Sequence, residues 1–515
     1  MRAVINELSS GQTDREHAES PRTLGEMLFR AARIAPLKTA VLAEDRVLSY
    51  QELWEKSRGL AVMLQDAGLK KGDRIACLLR KTPEAIITFL GSAMSGGVFF
   101  PVDPNLPPFK MSQIFTETGA KFIIADSNYV EVACKAGGVP LSRMVVINGE
   151  QGKKYRLFSE IDRHPGSLNP VASTCVHDPV YLNFTSGSTG LPKGAVTTHA
   201  NIWWNTWAAV TAFGLTPDDV HLIMFPVFVH PHEIFARSLF LAGSTILIDT
   251  VQPKTIAETI TRYRATTFMA VASIYETLVR LKDISRYDFS SLRIPESGGM
   301  HVTSTLVQAF RRRFKAPLYP VWGSTETAGI AMFTPPEREY RPASMGVCCP
   351  GYEARILDES GKDVAVGEVG EMVLQGPAVC SHYCNNPRET SRYLDDGRFW
   401  TGDLAYQDLD GFYYFQSRRS NLMKVGGLKV YPVEIEEVLR GHPEVQEIAV
   451  VPSKDGLHGE VPKAVIVTKS GWKISNQDLR GFCEQKLHRY KFPRKVEFLK
   501  ALPRTPGGKV AWKEL

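Results

Sequence analysis

The stretch Thr185-Ser186-Gly187-Ser188-Thr189-Gly190-Leu191-Pro192-Lys193-Gly194 limits what this chain can fold into more than any other. It consists mostly of small, hydroxylated or flexible residues, so it has little apolar surface to bury in a core. Its glycines permit positive φ, which turns successive backbone N–H groups the same way. Several N–H groups, several hydroxyls and one lysine on a flexible stem suit a cradle for phosphate oxygens. The run Val180-Tyr181-Leu182-Asn183-Phe184 just before it reads as a strand, which makes the stretch a loop leaving a sheet. It is not a Walker A loop. Pro192 stands where a glycine should precede the lysine, and Gly194 where Ser or Thr should follow it.

A chain of 515 residues is expected to hold more than one domain, because single cores rarely grow past about 300 residues. Hydrophobic residues at 43% and charged residues at 23% suit a soluble globular enzyme. The net charge of +6 is small for this length, and the densest basic run, Arg311-Arg312-Arg313, reads as the solvated face of a helix. No nucleic-acid partner is expected. The eight cysteines, at 77, 134, 175, 348, 349, 380, 384 and 483, form no CxxC pair. They read as reduced, mostly buried thiols that bind no metal, which points to a cytoplasmic setting. The polar N-terminus, with Asp14, Glu16 and Glu19, lacks the apolar segment of a signal peptide. No apolar run reaches the roughly 18 residues that span a bilayer, so no transmembrane segment is expected.

From about Leu24 to Phe415 short apolar strands alternate with helical stretches, which is α/β patterning. Val47 to Tyr50 reads as a strand leading into a helix at Glu52-Leu53, and Ala85 to Met94 as a buried helix ended by Gly96-Gly97. Val98 to Phe100 is then a strand closed by Pro101 and Asp103-Pro104, and Ala120 to Ala125 is the next strand. A boundary falls near Ser417-Arg418-Arg419-Ser420. Beyond it, a helix from Pro432 to about Arg440, strands at Glu447–Val451 and Ala464–Thr468, a helix from Asn476 to His488 and a strand at Lys495–Leu499 predict a small α+β unit. The expected division is an extension over 1–23, a large α/β domain over 24–417, a hinge at 418–420 and a small domain over 421–515.

The loop Thr185–Gly194 resembles the phosphate loop of the adenylate-forming superfamily, which contains acyl-CoA synthetases, amino-acid adenylation domains and firefly luciferases. The resemblance recurs, in the family's order, at Trp322-Gly323-Ser324-Thr325-Glu326, Thr401-Gly402-Asp403, Arg418 to Glu436 and Pro503 to Lys509. It implies a large N-terminal domain with sheets flanked by helices, a small mobile C-terminal domain, and an active site between them. The implied chemistry joins a carboxylate to AMP, with pyrophosphate leaving. Both reactants are anionic, so cations, Mg²⁺ and N–H donors are needed where charge accumulates.

The resemblance also implies roles for single residues. Thr185, Ser186, Gly187, Ser188, Thr189 and Gly190 would hold the β- and γ-phosphates, with Lys193 as an aid. Thr325 and Ser324 lie where the α-phosphate sits, Glu326 would hold Mg²⁺, and Trp322 would stack on adenine opposite Gly298 and Gly299. Asp403 would accept from both ribose hydroxyls beside Arg418, and Lys509 would bridge the carboxylate and the α-phosphate. For the second half-reaction the small domain rotates about Ser420, where the family mostly has Asp or Lys, and Lys424, Gly426 and Gly427 would face the pantetheine arm of CoA. The acyl pocket would be lined by Val227, Phe228, Tyr275, Gly323 and either Val229 or His230, because the family's Pro-x-Phe-His pattern is offset here by one residue; His232 reads as a surface residue. Acetate-specific relatives resemble the motif but carry a tryptophan at the place of Gly323, which leaves this channel open for a medium- or long-chain fatty, alicyclic or aromatic acid. Adenylation domains for amino acids place an aspartate in the Phe225–Phe235 segment, and Glu233 is displaced from that place.

The expected function is therefore an AMP-forming acid–CoA ligase whose partners are ATP, CoA and a small-molecule acid, with a homodimer also compatible. The alternative is an adenylating enzyme that loads an acyl or aminoacyl group onto a carrier protein. A pseudoenzyme that only senses nucleotide is disfavoured, since Lys509, Glu326 and the phosphate loop are all present. One ammonium beside the α-phosphate helps only the first half-reaction. Lys509→Ala is expected to slow adenylate formation by several kcal/mol of barrier while sparing thioester formation from supplied acyl-AMP. Equal losses in the two separately measured half-reactions would refute that role.

Overall fold

The computed structural model describes residues 20–515 except 45, 164–172, 186–192, 230, 300–301, 457–458, 470–473, 485 and 505–509. Three helices begin on reciprocal capping boxes. Thr23 with Glu26 starts Leu24–Ile34, Ser49 with Glu52 starts Tyr50–Asp66, and Thr198 with Asn201 starts His199–Phe213. In each, the cap hydroxyl accepts from the third backbone N–H and the third side chain accepts from the cap N–H, so two otherwise unpaired donors are satisfied. Pro83–Met94 is apolar apart from Glu84, Thr88 and Ser92 and is buried along nearly its whole length. Such a helix must lie inside the protein. It packs so closely on Tyr50–Asp66 that a Cβ at Gly91 would stand 2.8 Å from the Ser57 carbonyl oxygen.

Two sheets enclose these helices. Among the described residues one has seven strands, ordered Arg156–Leu157, Met144–Ile147, Ala120–Asp126, Arg74–Leu78, Val98–Pro101, Pro179–Thr185 and Lys193–Thr198. Its strands run parallel until the last pair, an antiparallel hairpin with Thr185 opposite Lys193. The other has fourteen strands and a parallel half formed by Thr39–Ala43, Ser244–Leu247, Val220–Ile223, Thr267–Ala270, Ile294–Ser297 and Tyr319–Ser324. From Gly329–Phe333 onward its pairing is antiparallel, through Ser344–Cys348, Tyr413–Arg418, Arg398–Gln407, Gly370–Gln375 and Glu353–Leu357. One apolar cluster joins Ile75, Phe99 and Tyr181 of the first sheet to Val41, Ile223 and Leu247 of the second through Leu28, Leu60 and Phe89 of the helices between them.

The chain leaves the larger sheet at Arg418 and enters a third one at Met423. Met423–Val425, Leu428–Val430, Val445–Asp455, Gly459–Thr468 and Lys495–Phe498 form this smaller sheet. Pro432–Arg440 and Asn476–Glu484 pack on it through Ile435, Leu439, Leu479 and Cys483. The large α/β unit and the smaller α+β one are thus as the sequence predicts.

Local expectations differ from the structure in modest ways. Val445–Asp455 and Gly459–Thr468 extend beyond the apolar residues that announce them, because each strand's backbone is paired along ten rungs of one hairpin. The helix starting at Asn476 stops at Glu484 rather than His488, where Lys486 and Leu487 both turn back onto the Cys483 carbonyl. Arg311, Arg312 and Arg313 lie exposed at the end of Ser304–Phe314, as a solvated face requires. The thiols are less uniformly buried than expected: Cys77, Cys349, Cys380 and Cys483 are buried, whereas Cys134 and Cys175 are exposed. No helix among the described residues is long and apolar enough to cross a membrane.

Candidate active site

The parallel strands Thr267–Ala270, Ile294–Ser297 and Tyr319–Ser324 end on one side of the sheet, and Gly329–Phe333 runs back beside them. Open α/β sheets take ligands outside such carboxyl ends, where strand direction changes. The turn between the last two strands carries Thr325 and Glu326 and is tightly braced. Thr327 Oγ1 accepts from the Ser324 N–H at 2.9 Å and lies within donating distance of the Gly329 carbonyl at 2.7 Å. Tyr352 donates to the Thr327 carbonyl at 2.6 Å, and Ala328 holds a left-handed φ of 52°. A residue without a glycine's freedom stays there only because the surroundings enforce it.

Glu326 is buried, and its Oε1 accepts from the Tyr383 hydroxyl at 2.6 Å. Burial, then the charge of Glu326, pushes the Tyr383 phenol well above its usual range, so it stays a donor. The Tyr383 ring also flanks Lys193, whose ammonium lies 4.1 Å from the Tyr393 ring centre and is ion-paired with Glu389. Both charged groups of that pair are largely buried. Lys193 thus stands paired with Glu389 where the chain returns from the loop into the sheet. Residues 186–192 of that loop, including Ser186, Gly187, Ser188, Thr189 and Gly190, lie outside the described residues, as do the side chain of Thr185, His230 and Lys509.

A second group converges from three strands. The Trp322 indole N–H donates to Asp403 Oδ2 at 3.1 Å, and Arg418 Nε pairs with Asp403 Oδ1 at 2.7 Å. Asp403 and Arg418 are register partners on neighbouring strands, and Asp403 is only 1% exposed. Thr401 Oγ1 accepts from the Asp403 N–H at 3.0 Å, and Arg418 Nη1 donates to the Thr401 carbonyl at 3.1 Å. Gly298 and Gly299 follow Ile294–Ser297; a Cβ at Gly298 would come 2.8 Å from a methyl of Val321, and Gly299 has φ of 75°. The residues expected around adenine and ribose are therefore neighbours in the fold.

The acyl-pocket expectations fare unevenly. Val227 is buried and Phe228 half-buried in the segment after Val220–Ile223. His232, expected at the surface, is 1% exposed. Its Nε2 meets the Ala328 carbonyl at 2.8 Å and its Nδ1 the Tyr181 hydroxyl at 2.9 Å. A carbonyl can only accept, so Nε2 carries the proton and Nδ1 accepts from the phenol. Tyr275 is not a pocket wall. Its ring packs among Phe268 and Phe310 in the core, and its hydroxyl donates to the Phe268 and Glu296 carbonyls. Gly323 is exposed, and a side chain there would overlap the Gly329 carbonyl of the paired strand. Its missing side chain serves the hairpin.

Gly426 and Gly427, with φ of 56° and 85°, form the two-residue turn between Met423–Val425 and Leu428–Val430. Both central residues of such a turn need positive φ. A Cβ at either would meet nothing within 4 Å, so conformation rather than close approach explains these glycines. Lys424 is exposed on the same hairpin. Ser420 sits exposed in the short turn Arg419–Asn421, between the Arg418–Asp403 pair and an Arg419–Glu371 pair at 2.6 Å. Sequence reasoning missed Tyr383, Glu389 and the buried role of His232. Each acts through a partner far along the chain, and no local spacing signals that.

The fold and this crevice define a nucleotide-binding α/β enzyme with an appended α+β unit. Comparison with known proteins agrees. The model of AMP-binding enzymes matches residues 28–384, and that of their C-terminal domain matches 434–509. A fatty acid–[acyl-carrier-protein] ligase of Streptomyces coeruleorubidus is 30% identical, covering 98% of this chain and 97% of its own. A feruloyl-CoA synthase of Amycolatopsis is 32% identical, covering 95% and 97%. The crystal structure of ATP-bound MatB from Rhodopseudomonas palustris superposes with a TM-score of 0.87 at 27% identity, over 96% of this chain and 98% of that one. The chain belongs to the AMP-binding enzyme family.

The buried histidines set a pH limit on this structure. Burial pushes His199 down to about 4, His221 to about 3 and His232 to about 4, from 6.5. Between those values the unfolded chain binds protons that the folded one refuses, so stability is full above pH 6.5 and falls as pH drops toward 4. The unfolding midpoint in urea is expected to decline over that window, and less steeply in His232→Gln. Parallel curves for the two proteins would exclude His232 as a contributor.

Proposed function

We propose that this protein is an ATP-dependent acid–CoA ligase. The carboxylate oxygen of an acid attacks the α-phosphorus of ATP, pyrophosphate leaves, and the CoA thiol then attacks the acyl carbon with release of AMP. The observation that carries this reading is the convergence of Trp322, Asp403 and Arg418 beside the braced Ser324–Gly329 turn. Trp322 offers a ring face to adenine, Asp403 its carboxylate to the ribose hydroxyls, and Thr325 a hydroxyl to the α-phosphate. Glu326 suits Mg²⁺: Tyr383 occupies Oε1, and Oε2 has no hydrogen-bond partner among the described residues. One hard oxygen is enough for an ion that keeps most of its water. Bound there, Mg²⁺ would offset charge on the phosphates.

The phosphate loop, held at its base by the Thr185–Lys193 rung, would supply N–H donors to the β- and γ-phosphates. Lys509 would serve the adenylation step. A rotation within 418–420 would then withdraw it and bring the Lys424–Gly427 hairpin to the thiol. A cytoplasmic setting, where ATP and CoA are available, follows from this reading, and a homodimer is compatible with it. Transfer to a carrier protein is the second reading, favoured by the similarity to an acyl-carrier-protein ligase over nearly the whole chain.

Pyrophosphate and AMP release are the direct test, over a panel of acids of several carbons with ATP and Mg²⁺. Without an acceptor, release is expected to stall near one turnover; CoA should restore continuous turnover with one thioester per AMP. Turnover that responds to a phosphopantetheinylated carrier and not to CoA would replace the first reading by the second.

A further inference from the structure

The segment 377–384 lies outside the strands named above, yet it grips both halves of the candidate site. On one side it runs against Lys193–Thr198, the strand by which the chain returns from the phosphate loop. The Val196 N–H donates to the His382 carbonyl at 3.0 Å and the Cys384 N–H to the Gly194 carbonyl at 2.7 Å, and Tyr383 is bridged to Ala195. Asn201, just beyond that strand, donates from Nδ2 to the Pro377 and Val379 carbonyls at 3.0 and 3.2 Å. On the other side the segment holds the turn after Tyr319–Ser324. The Cys380 N–H donates to the Glu326 carbonyl at 2.8 Å, and the Tyr383 hydroxyl to Glu326 Oε1 at 2.6 Å. This strap therefore joins the base of the phosphate loop, in the seven-stranded sheet, to Glu326, beside the fourteen-stranded one.

The charges gathered under the strap are divided in a particular way. Lys193, Glu326 and Glu389 are all buried. Tyr383 touches two of them: its ring centre lies 5.5 Å from the Lys193 ammonium, and its hydroxyl is on Glu326. A buried carboxylate and a buried ammonium in one cluster gain by pairing with each other. Such a pair would turn Glu326 toward Lys193 and cancel its charge. Two partners oppose that outcome. Glu389 supplies the counter-charge of Lys193, and Tyr383 gives Glu326 a neutral donor. A neutral donor fixes one carboxylate oxygen through a strong, directional bond and leaves the negative charge in place. Tyr383 is itself held, since its N–H donates to Thr390 Oγ1 at 3.0 Å and its backbone is bridged to Ala195.

We propose that Tyr383 is a positioning residue: it holds Glu326 by one oxygen, leaves the other for the divalent ion, and ties the placement of that ion to the base of the phosphate loop. This proposal rests on the ligase reading above.

Calorimetric titration of the purified protein with ATP, once in Mg²⁺ and once in EDTA, gives the gain in affinity that the ion brings. Tyr383→Phe keeps the ring beside Lys193 and removes only the donor. It should lower that gain by about tenfold, while affinity for AMP, which lacks the β- and γ-phosphates, stays nearly unchanged. In a Glu326→Gln background the same change should have no further effect on the gain, because a residue that acts only through Glu326 has nothing left to position. The gain is a ratio within one protein, so losses from partial misfolding cancel. No gain in the unmodified protein, an unchanged gain in Tyr383→Phe, or equal falls in the two backgrounds would overturn the proposal. So would a loss of AMP binding as large as that of ATP, which would make Tyr383 merely structural. If the unmodified protein binds no ATP at all, the ligase reading falls as well, whereas ATP binding with any of those outcomes defeats this proposal alone.

Discussion

The Asp403 carboxylate holds the candidate site together. It is almost wholly buried, yet both its oxygens meet donors that lie on other strands, the Trp322 indole and the Arg418 guanidinium. A buried carboxylate is tolerated only when it is paired in this way. The pairing fixes Trp322 at the end of Tyr319–Ser324 and Arg418 at the end of Tyr413–Arg418, the last strand before the chain passes to the smaller sheet. The position from which the smaller unit departs is thereby tied to the nucleotide crevice. An opening movement beyond Arg418 would leave the crevice's own strands in place.

The rest of the architecture supplies stiffness around that point. Helices buried on most faces lie between two sheets, so each sheet has a dry side that cannot slide without repacking the cluster around Leu60, Phe89 and Tyr181. Lys81 adds a polar tie: its ammonium donates to the Met224 and Ile248 carbonyls, and burial lowers its pKa to about 8. Met224 leads directly into the acyl segment, so that segment is held at its start by Lys81 and farther on by His232. Its shape is therefore built into the folded chain.

Much of this was legible in the sequence. The helix start with Pro432 in its first turn is signalled locally and appears as expected. The motifs around Trp322, Asp403 and Arg418 also come together: Trp322 and Arg418 lie near strand ends, and Asp403, inside Arg398–Gln407, is the register partner of Arg418. What was not legible has another physical origin. Tyr275 looked like a pocket residue by position, but a tyrosine can close a core with its hydroxyl on backbone carbonyls. The pairing of Lys193 with Glu389 joins segments far apart in the chain, which no local spacing announces.

The role of Asp403 can be checked without a substrate acid. Calorimetric titration of the purified protein with ATP and with 2′,3′-dideoxy-ATP isolates the ribose hydroxyls from every other contact. Each hydrogen bond to a charged group contributes about 1.5–3 kcal/mol, so ATP should bind at least about tenfold more tightly, and Asp403→Asn should bring the two affinities together. Equal binding of both nucleotides by the unmodified protein would contradict the placement of adenosine at the Trp322–Asp403–Arg418 junction.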